Sequence, residues 1–413
     1  MADPDRAAQR SLERLRRAAE GGDNQARYQL GRVYEKGWNV ACDQRQAFTW
    51  YFAAAAGGHL EAAFRAMSLY LDGHADNADP SAALEVLTKA AELGHPDCQA
   101  LLGWCYQQGR AVARNEQHAL QWYERAAAGG SAPGRFNLAM CLLRGVGGRR
   151  DNTEAMALLE LAAEQGYARA QLNLGRALSE GTVVARDPAA ASYWYRQGAE
   201  RGYAKAQYNL GLLLAGGDFA EQDDASAAEW IRAAAEQGLA KAQFTLASLY
   251  RRGLGVERDP SAAMHWLQQA AAAGYAKAQY QMSRLLAKGR DCTKDETAAG
   301  QWLERAASAG HAEAQYELGR AIVRQDDRGR SNEAFRWFSR AGESGHVDAL
   351  YSVGVCYLKA RGVAEDSVIA YQYFERAAAA GSERGAAALK KLARKLDPVT
   401  LARARRRPGQ QPS

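Results

Sequence analysis

The side chains that most often act as nucleophiles, general bases or metal ligands are few in this chain: six cysteines and seven histidines in 413 residues. The cysteines are Cys42, Cys98, Cys105, Cys141, Cys292 and Cys356. No Cys-x-x-Cys pair occurs, and no histidine stands at zinc-ligand spacing from a cysteine pair. Cys105, Cys141 and Cys356 share one register with Val33, Leu69, Leu213 and Leu249, so they read as buried apolar residues. His59, His95, His311 and His346 each follow a recurring glycine, where Tyr167, Tyr203 and Tyr275 stand elsewhere. Histidines a repeat or more apart cannot share a metal, so these too are structural positions. His74, His118 and His265 are scattered. No Ser/His/Asp set, paired-carboxylate site, Walker loop or Gly-x-Gly-x-x-Gly escapes the repeat register. An enzyme is not expected, and no catalytic residue, cofactor or metal is assigned.

The register itself is set by glycine. It recurs from Gly22 through Gly58 and Gly94 to Gly310 in steps of 36 residues, then at Gly345 and Gly381 after one step of 35. A period in this range means a solenoid of helix pairs. The first helix of each pair follows the glycine, as in GYAKAQYNLG from Gly202. Ala206, Leu210, Gly211 and Leu214 fall on one helical face. The slot of Gly211 holds Gly31, Gly103, Gly175, Gly319 and Gly354 in other copies, and Ala139, Ala247, Ser283 or Met67 in the rest. Mid-helix glycine costs about 1 kcal/mol of propensity, so close approach of the next helix is the expected compensation.

A further glycine, at Gly37, Gly73, Gly109, Gly145, Gly181, Gly217, Gly253 or Gly289, ends this helix. An acid or amide (Asp43, Asp79, Asn115, Asp151, Asp187, Asp223, Asp259, Asp295) then stands where an N-cap belongs, with Pro80, Pro188 and Pro260 directly after three of them. The second helix reads Ala-x-x-Trp-[Tyr/Leu/Ile/Phe]-x-x-Ala-Ala. Trp50, Trp122, Trp194, Trp230, Trp266, Trp302 and Trp337 share one position in it and are expected to be core residues.

The totals fit a folded protein: 47% hydrophobic, 24% charged and 9 prolines. The net charge of +6 is uneven, because eight basic residues and one acid from Lys390 onward leave residues 1–389 at −1. A nucleic-acid groove along the whole body is therefore not expected. No secretory signal or membrane-length apolar run is visible, which makes the cytoplasm the simplest expected compartment. Residues 1–10 are expected to be disordered. Residues 11–396 should form one continuous repeat domain of about ten helix pairs with half-repeat caps, and 397–413 a basic tail. Arg14 at the tryptophan position and Lys390 in the small slot mark the two ends, so no further helix should pack closely at Lys390. The tail should hold a short basic helix beyond Pro398, then fray.

These residues carry a resemblance. GHAEAQYELG, with AxxWLERAA, resembles the Sel-one-like repeat family, relatives of tetratricopeptide repeats, over roughly Ser11 to Leu396. The resemblance implies an all-α, right-handed superhelical solenoid of antiparallel helix pairs, with the first helices lining the concave side. It also implies a non-enzymatic adaptor in a bacterial secretion, envelope, motility or signalling assembly. RQDDRGRSNE (Arg324 to Glu333) departs from the pattern, being one residue short and without the loop glycine.

Two sets of residues remain for a partner. Two positions before the small slot, nine of ten residues are polar, among them Asn137, Asn173, Asn209 and Gln281. An amide there could both donate to and accept from an extended peptide, or could simply be the repeat's habitual residue. Five positions after the slot come Arg252, Lys288, Arg324 and Lys359, with Arg284 and Arg320 one turn earlier. They read either as cations favoured at helix C-termini or as a basic rail for an acidic partner. The expected partner is a protein or extended peptide, acidic if the rail is functional, and no small-molecule substrate. Nucleic acid or an anionic membrane would engage the tail alone, which could equally be a solvated cap or a docking peptide.

Overall fold

The computed structural model describes residues 4–75, 79–216, 223–290, 292–325 and 328–405. Gly217, read as a helix end, lies outside them, as do Arg406, Arg407 and the end of the tail that was expected to fray. Among the described residues there are twenty-three α-helices and no strand, the all-α helical-repeat solenoid expected. The chain divides into two compact units, Met1–Leu210 and Gly211–Ser413, where one continuous domain was expected. Solenoid repeats meet only their neighbours, so a long array has no shared core to hold it as one unit. Within each unit a first helix pairs with the second helix of its own repeat and then with that of the repeat before.

The punctuation follows the sequence. Asp43, Asp79, Asn115, Asp151, Asp187, Asp223, Asp259 and Asp295 are all N-caps whose side chains accept backbone N–H bonds. The repeat glycine has a left-handed backbone at every step, from φ 81° at Gly202 to 98° at Gly22. A side chain there would be strained, which explains why only glycine recurs.

The core differs from the expectation in one respect. All seven repeat tryptophans are only half-buried. The fully enclosed residue is the next one: Tyr51, Leu87, Tyr123, Leu159 and Ile231 are at most 1% exposed. On a helix, adjacent positions point about 100° apart, and only one of the two can face the slot on the first helix. The ring or branch of the inner residue fills that slot. A Cβ added to Gly103 would stand 2.8 Å from Tyr123, on Gly175 2.7 Å from Tyr195, and on Gly354 2.6 Å from Phe374. The expected close approach is thus a side chain entering the space a Cβ would take. These tryptophans lie on the flank, between their own first helix and the second helix before it, Trp50 on the cluster of Ala19, Ala26 and Leu30, and Trp337 on that of Ala306 and Leu318. Arginines one turn on stack over them, Arg125 at 4.7 Å from Trp122 and Arg305 at 4.7 Å from Trp302.

The ends also depart from the sequence reading. The opening helix is Pro4–Glu20, so residues 4–10 are helical and not disordered. Leu12 and Leu15 on this helix pack beside Ala19 against the first repeat, which anchors the turn before them. At the other end Lys390 is exposed, yet a further helix, Pro398–Ala404, does dock. It avoids Lys390 by packing on the second helix Ser367–Ala379, where Ala404 and Leu401 join Tyr371 and Phe374.

Candidate partner-binding surface

The polar row is half-buried over most of its length. Arg65, Asn137, Asn173, Asn209, Thr245, Gln281, Glu317 and Ser352 are all half-buried, and Gln29 is exposed. Asn137, Asn173 and Asn209 stand on successive first helices of the N-terminal unit, Ala132–Arg144, Ala168–Glu180 and Ala204–Ala215. Their amides are less free than the sequence reading supposes. Asn173 Nδ2 donates to the Arg169 carbonyl at 2.8 Å, and its Oδ1 accepts from Arg176 at 3.2 Å. Asn209 is hydrogen-bonded with Tyr195. Thr245 and Ser352 bond back to their own helices, and Glu317 accepts from the Tyr280 hydroxyl at 3.1 Å. Asn137 and Gln281 have no partner among the described residues. Gln281 also lines a small cavity of about 40 Å³ with Phe244, Ala247 and Met264, apart from the basic positions.

The basic residues Arg252, Arg284, Lys288, Arg320, Arg324 and Lys359 are all exposed. Arg252, Lys288 and Arg324 are the last residues of their helices, and Lys359 is a C-cap, so each stands at a negative helix end. Arg284 and Arg320 lie over Tyr280 and Tyr316 of their own helices, at 5.8 and 5.6 Å. The structure brings Arg320, Arg324 and Lys359 to one groove of about 780 Å³. Arg252, Arg284 and Lys288 lie outside it.

A family model described as the Sel1 repeat matches ten consecutive segments, from 24–59 through 204–239 to 347–382. The chain belongs to the Sel1 repeat family. It is similar to the solved structure of c5321, a protective antigen of uropathogenic Escherichia coli displaying an SLR fold. The identity is 28% over 95% of this chain and 92% of that one, with a TM-score of 0.59. It is also similar to a Sel1 repeat protein from Oxalobacter formigenes, with 30% identity over 59% of this chain and 96% of that one and a TM-score of 0.53. No curated protein matches by sequence. Sel1 repeat proteins are generally protein-interaction scaffolds, and the family is generally non-catalytic.

Within this Sel1 array the reactive side chains have structural duties. Cys105, Cys141 and Cys356 are buried, and burial pushes their thiols up to about 12, 11 and 11. His59, His95, His311 and His346 are N-caps, each Nδ1 accepting the N–H three residues on at 3.2–3.3 Å. Three of them pack on a tyrosine of the preceding first helix, His59 and His311 stacked on Tyr28 and Tyr280 at 4.4 and 4.5 Å and His346 tilted against Tyr316 at 4.4 Å. No group of three or more His, Cys, Asp or Glu among the described residues could hold a metal, and no described helix is long and apolar enough to cross a membrane.

Sequence reasoning missed two things. Gln99, Gln171, Gln207, Gln243, Gln279 and Gln315 are buried, and each Nε2 donates to the carbonyl eight residues back at 3.0–3.2 Å. Each adds a second bond to a carbonyl at the end of the preceding helix that already accepts the N–H of the repeat glycine, as Ala91 does from Gly94. Arg361 and Arg384, which complete the cationic groove, also escaped notice. Arg384 could have been found, because Arg169, Lys205, Lys241 and Lys277 hold the same register.

Proposed function

We propose that this chain is a non-enzymatic scaffold that captures a partner protein, as an extended peptide, along the polar row of its first helices. The observation that carries this reading is the half-burial of eight of the nine polar residues of that row. Half-buried polar side chains offer hydrogen bonds to a peptide backbone while partly shielding them from water. Asn137 and Gln281 keep their whole bonding capacity for a ligand among the described residues, whereas Asn173 and Asn209 would exchange existing bonds. The similarity to two bacterial Sel1 repeat proteins supports a bacterial setting, and the secretion, envelope or signalling assembly is what the family resemblance implies. Buried, unpaired thiols fit a reducing cytoplasm.

The test is affinity capture from the native host with the wild type and with Asn137, Asn173 and Asn209 changed together to Ala. Loss of a specific partner supports the row as its seat. Unchanged capture of every partner removes the row from the proposal, and absence of any specific partner removes the scaffold reading.

A further inference from the structure

The 35-residue step leaves a mark on the surface. In seven repeats the N-cap of the second helix, Asp43, Asn115, Asp151, Asp187, Asp259, Asp295 or Asp366, donates its N–H to a carbonyl of its own first helix, folding the loop back over that helix. The second helix Ser331–Glu343 begins instead at Arg330, with no side-chain cap bond. The first helix of this repeat ends at Arg324 with Val323 left 42% exposed. The groove of about 780 Å³ opens beside it.

Five exposed cations line this groove: Arg320, Arg324, Lys359, Arg361 and Arg384. No acid is among its described lining, and none of the five makes an ion pair with a described acid. Their neighbour Arg330 differs, because Glu333 holds its guanidinium at 2.8 and 3.0 Å. Asp326 and Asp327 on the short loop lie outside the described residues. The groove's wall is apolar, formed by Ile322, Val323, Val355 and Phe338.

We propose that this groove binds an acidic segment of a partner protein, its carboxylates on the five cations and its apolar side chains on the wall. The proposal rests on the scaffold reading and gives one stretch of the bound peptide its chemistry. Gathering five like charges with no described acid among them is unfavourable to the free protein, and an anionic ligand relieves that repulsion. Arginine forks match carboxylates two bonds at a time. A polynucleotide is the poorer occupant. The cations cluster in one pocket and do not track a strand, the body from 1 to 389 sums to −1, and the apolar wall has no use for phosphates.

The experiment is fluorescence anisotropy of the full chain with a fluorescein-labelled peptide alternating Glu and Leu. The same peptide with Gln for Glu, and a single-stranded DNA oligonucleotide, are measured beside it. The Glu peptide should bind, and added salt should weaken it. Arg324→Glu with Lys359→Glu should lower its affinity roughly tenfold per cation, while Arg10→Glu with Lys241→Glu, both outside the groove, leaves it unchanged. The milder pair Arg324→Gln and Lys359→Gln, checked by circular dichroism, should show a smaller loss without unfolding. No binding of the Glu peptide, equal binding of the Gln peptide, tighter binding of the oligonucleotide, or indifference to the groove variants would each overturn the proposal. A host partner captured equally by wild type and groove variant would overturn the groove and leave the scaffold reading standing.

Discussion

Tyr51 occupies the space that a side chain on Gly31 would fill: a Cβ there would stand 2.6 Å from the ring. The same opposition runs through the array with its sizes matched. Glycine faces a ring or Ile in Gly103–Tyr123, Gly175–Tyr195, Gly211–Ile231, Gly319–Phe338 and Gly354–Phe374. Where the slot holds Met67, Ala139, Ala247 or Ser283, the residue at the opposing register is a leucine: Leu87, Leu159, Leu267 or Leu303. Glycine opposite a ring and Ala or Ser opposite Leu keep the summed volume near constant, as a packed interior requires, whereas Met67 with Leu87 is larger and Gly211 with Ile231 smaller.

The pairing predicts a coupled pair of substitutions. Gly175→Ala should destabilise the protein by about 1–3 kcal/mol, since Tyr195 has no room to yield. Tyr195→Leu in the same chain should recover most of that loss, because Ala opposite Leu is the combination at Ala139 and Leu159. A double-mutant cycle in urea checks this, and additive effects would show that the two residues do not share a space.

How much of this was legible in the sequence follows from where periodicity speaks. The 36-residue glycine, the caps and the helix pairing could all be read, because each depends on a local backbone requirement that the repeat copies. The slot was recognised as small at Gly175, but its filler was not. Trp194 is larger and more apolar than Tyr195, and a pattern does not say which of two adjacent aromatics turns inward. Gln171 was missed for the opposite reason. Its polar type implied exposure, while the Ala163 carbonyl that its amide reaches belongs to the preceding helix. Of the candidate site, the register brought out Arg320, Arg324 and Lys359. Arg361 and Arg384 fall in other registers and meet them only in space.

Thiol chemistry gives a second prediction. Cys42 is exposed, whereas Cys98, Cys105, Cys141 and Cys356 are buried and shifted upward to about 12, 12, 11 and 11. A thiol-disulfide reagent at about pH 8 should label Cys42 at once and reach these four only after denaturant is added. Mass spectrometry of the labelled peptides checks the order. Rapid labelling of Cys105 in the native protein would contradict its place in the core.

Ala360 has φ 51°, in the left-handed region, at the register where Gly37, Gly109 and Gly253 end other first helices. An L side chain is strained there by about 1–2 kcal/mol, partly offset by the greater freedom glycine has when unfolded. Ala360→Gly should therefore stabilise the protein by about 0.5–1 kcal/mol. A rise in the urea midpoint at unchanged slope is the expected result, and a fall would mean the methyl group packs usefully in the groove.

His311 makes the cap on Ala312–Arg324 sensitive to protons. Its Nδ1 accepts from the Ala314 N–H at 3.3 Å, which requires a neutral ring. Burial holds its pKa below the ordinary value, Glu313 raises it and Lys277 lowers it, and the balance is downward. With the folded pKa below the unfolded one, the unfolded chain binds more protons between the two. The histidine's contribution to stability is then complete above about pH 6.5 and is lost as pH falls from there through the folded pKa. His311→Asn keeps a capping oxygen and removes the titration. Urea midpoints at about pH 7.5 and about pH 5.5 should fall less between the two conditions in the variant than in the wild type. Equal losses would show that protons act on this array elsewhere than at the His311 cap.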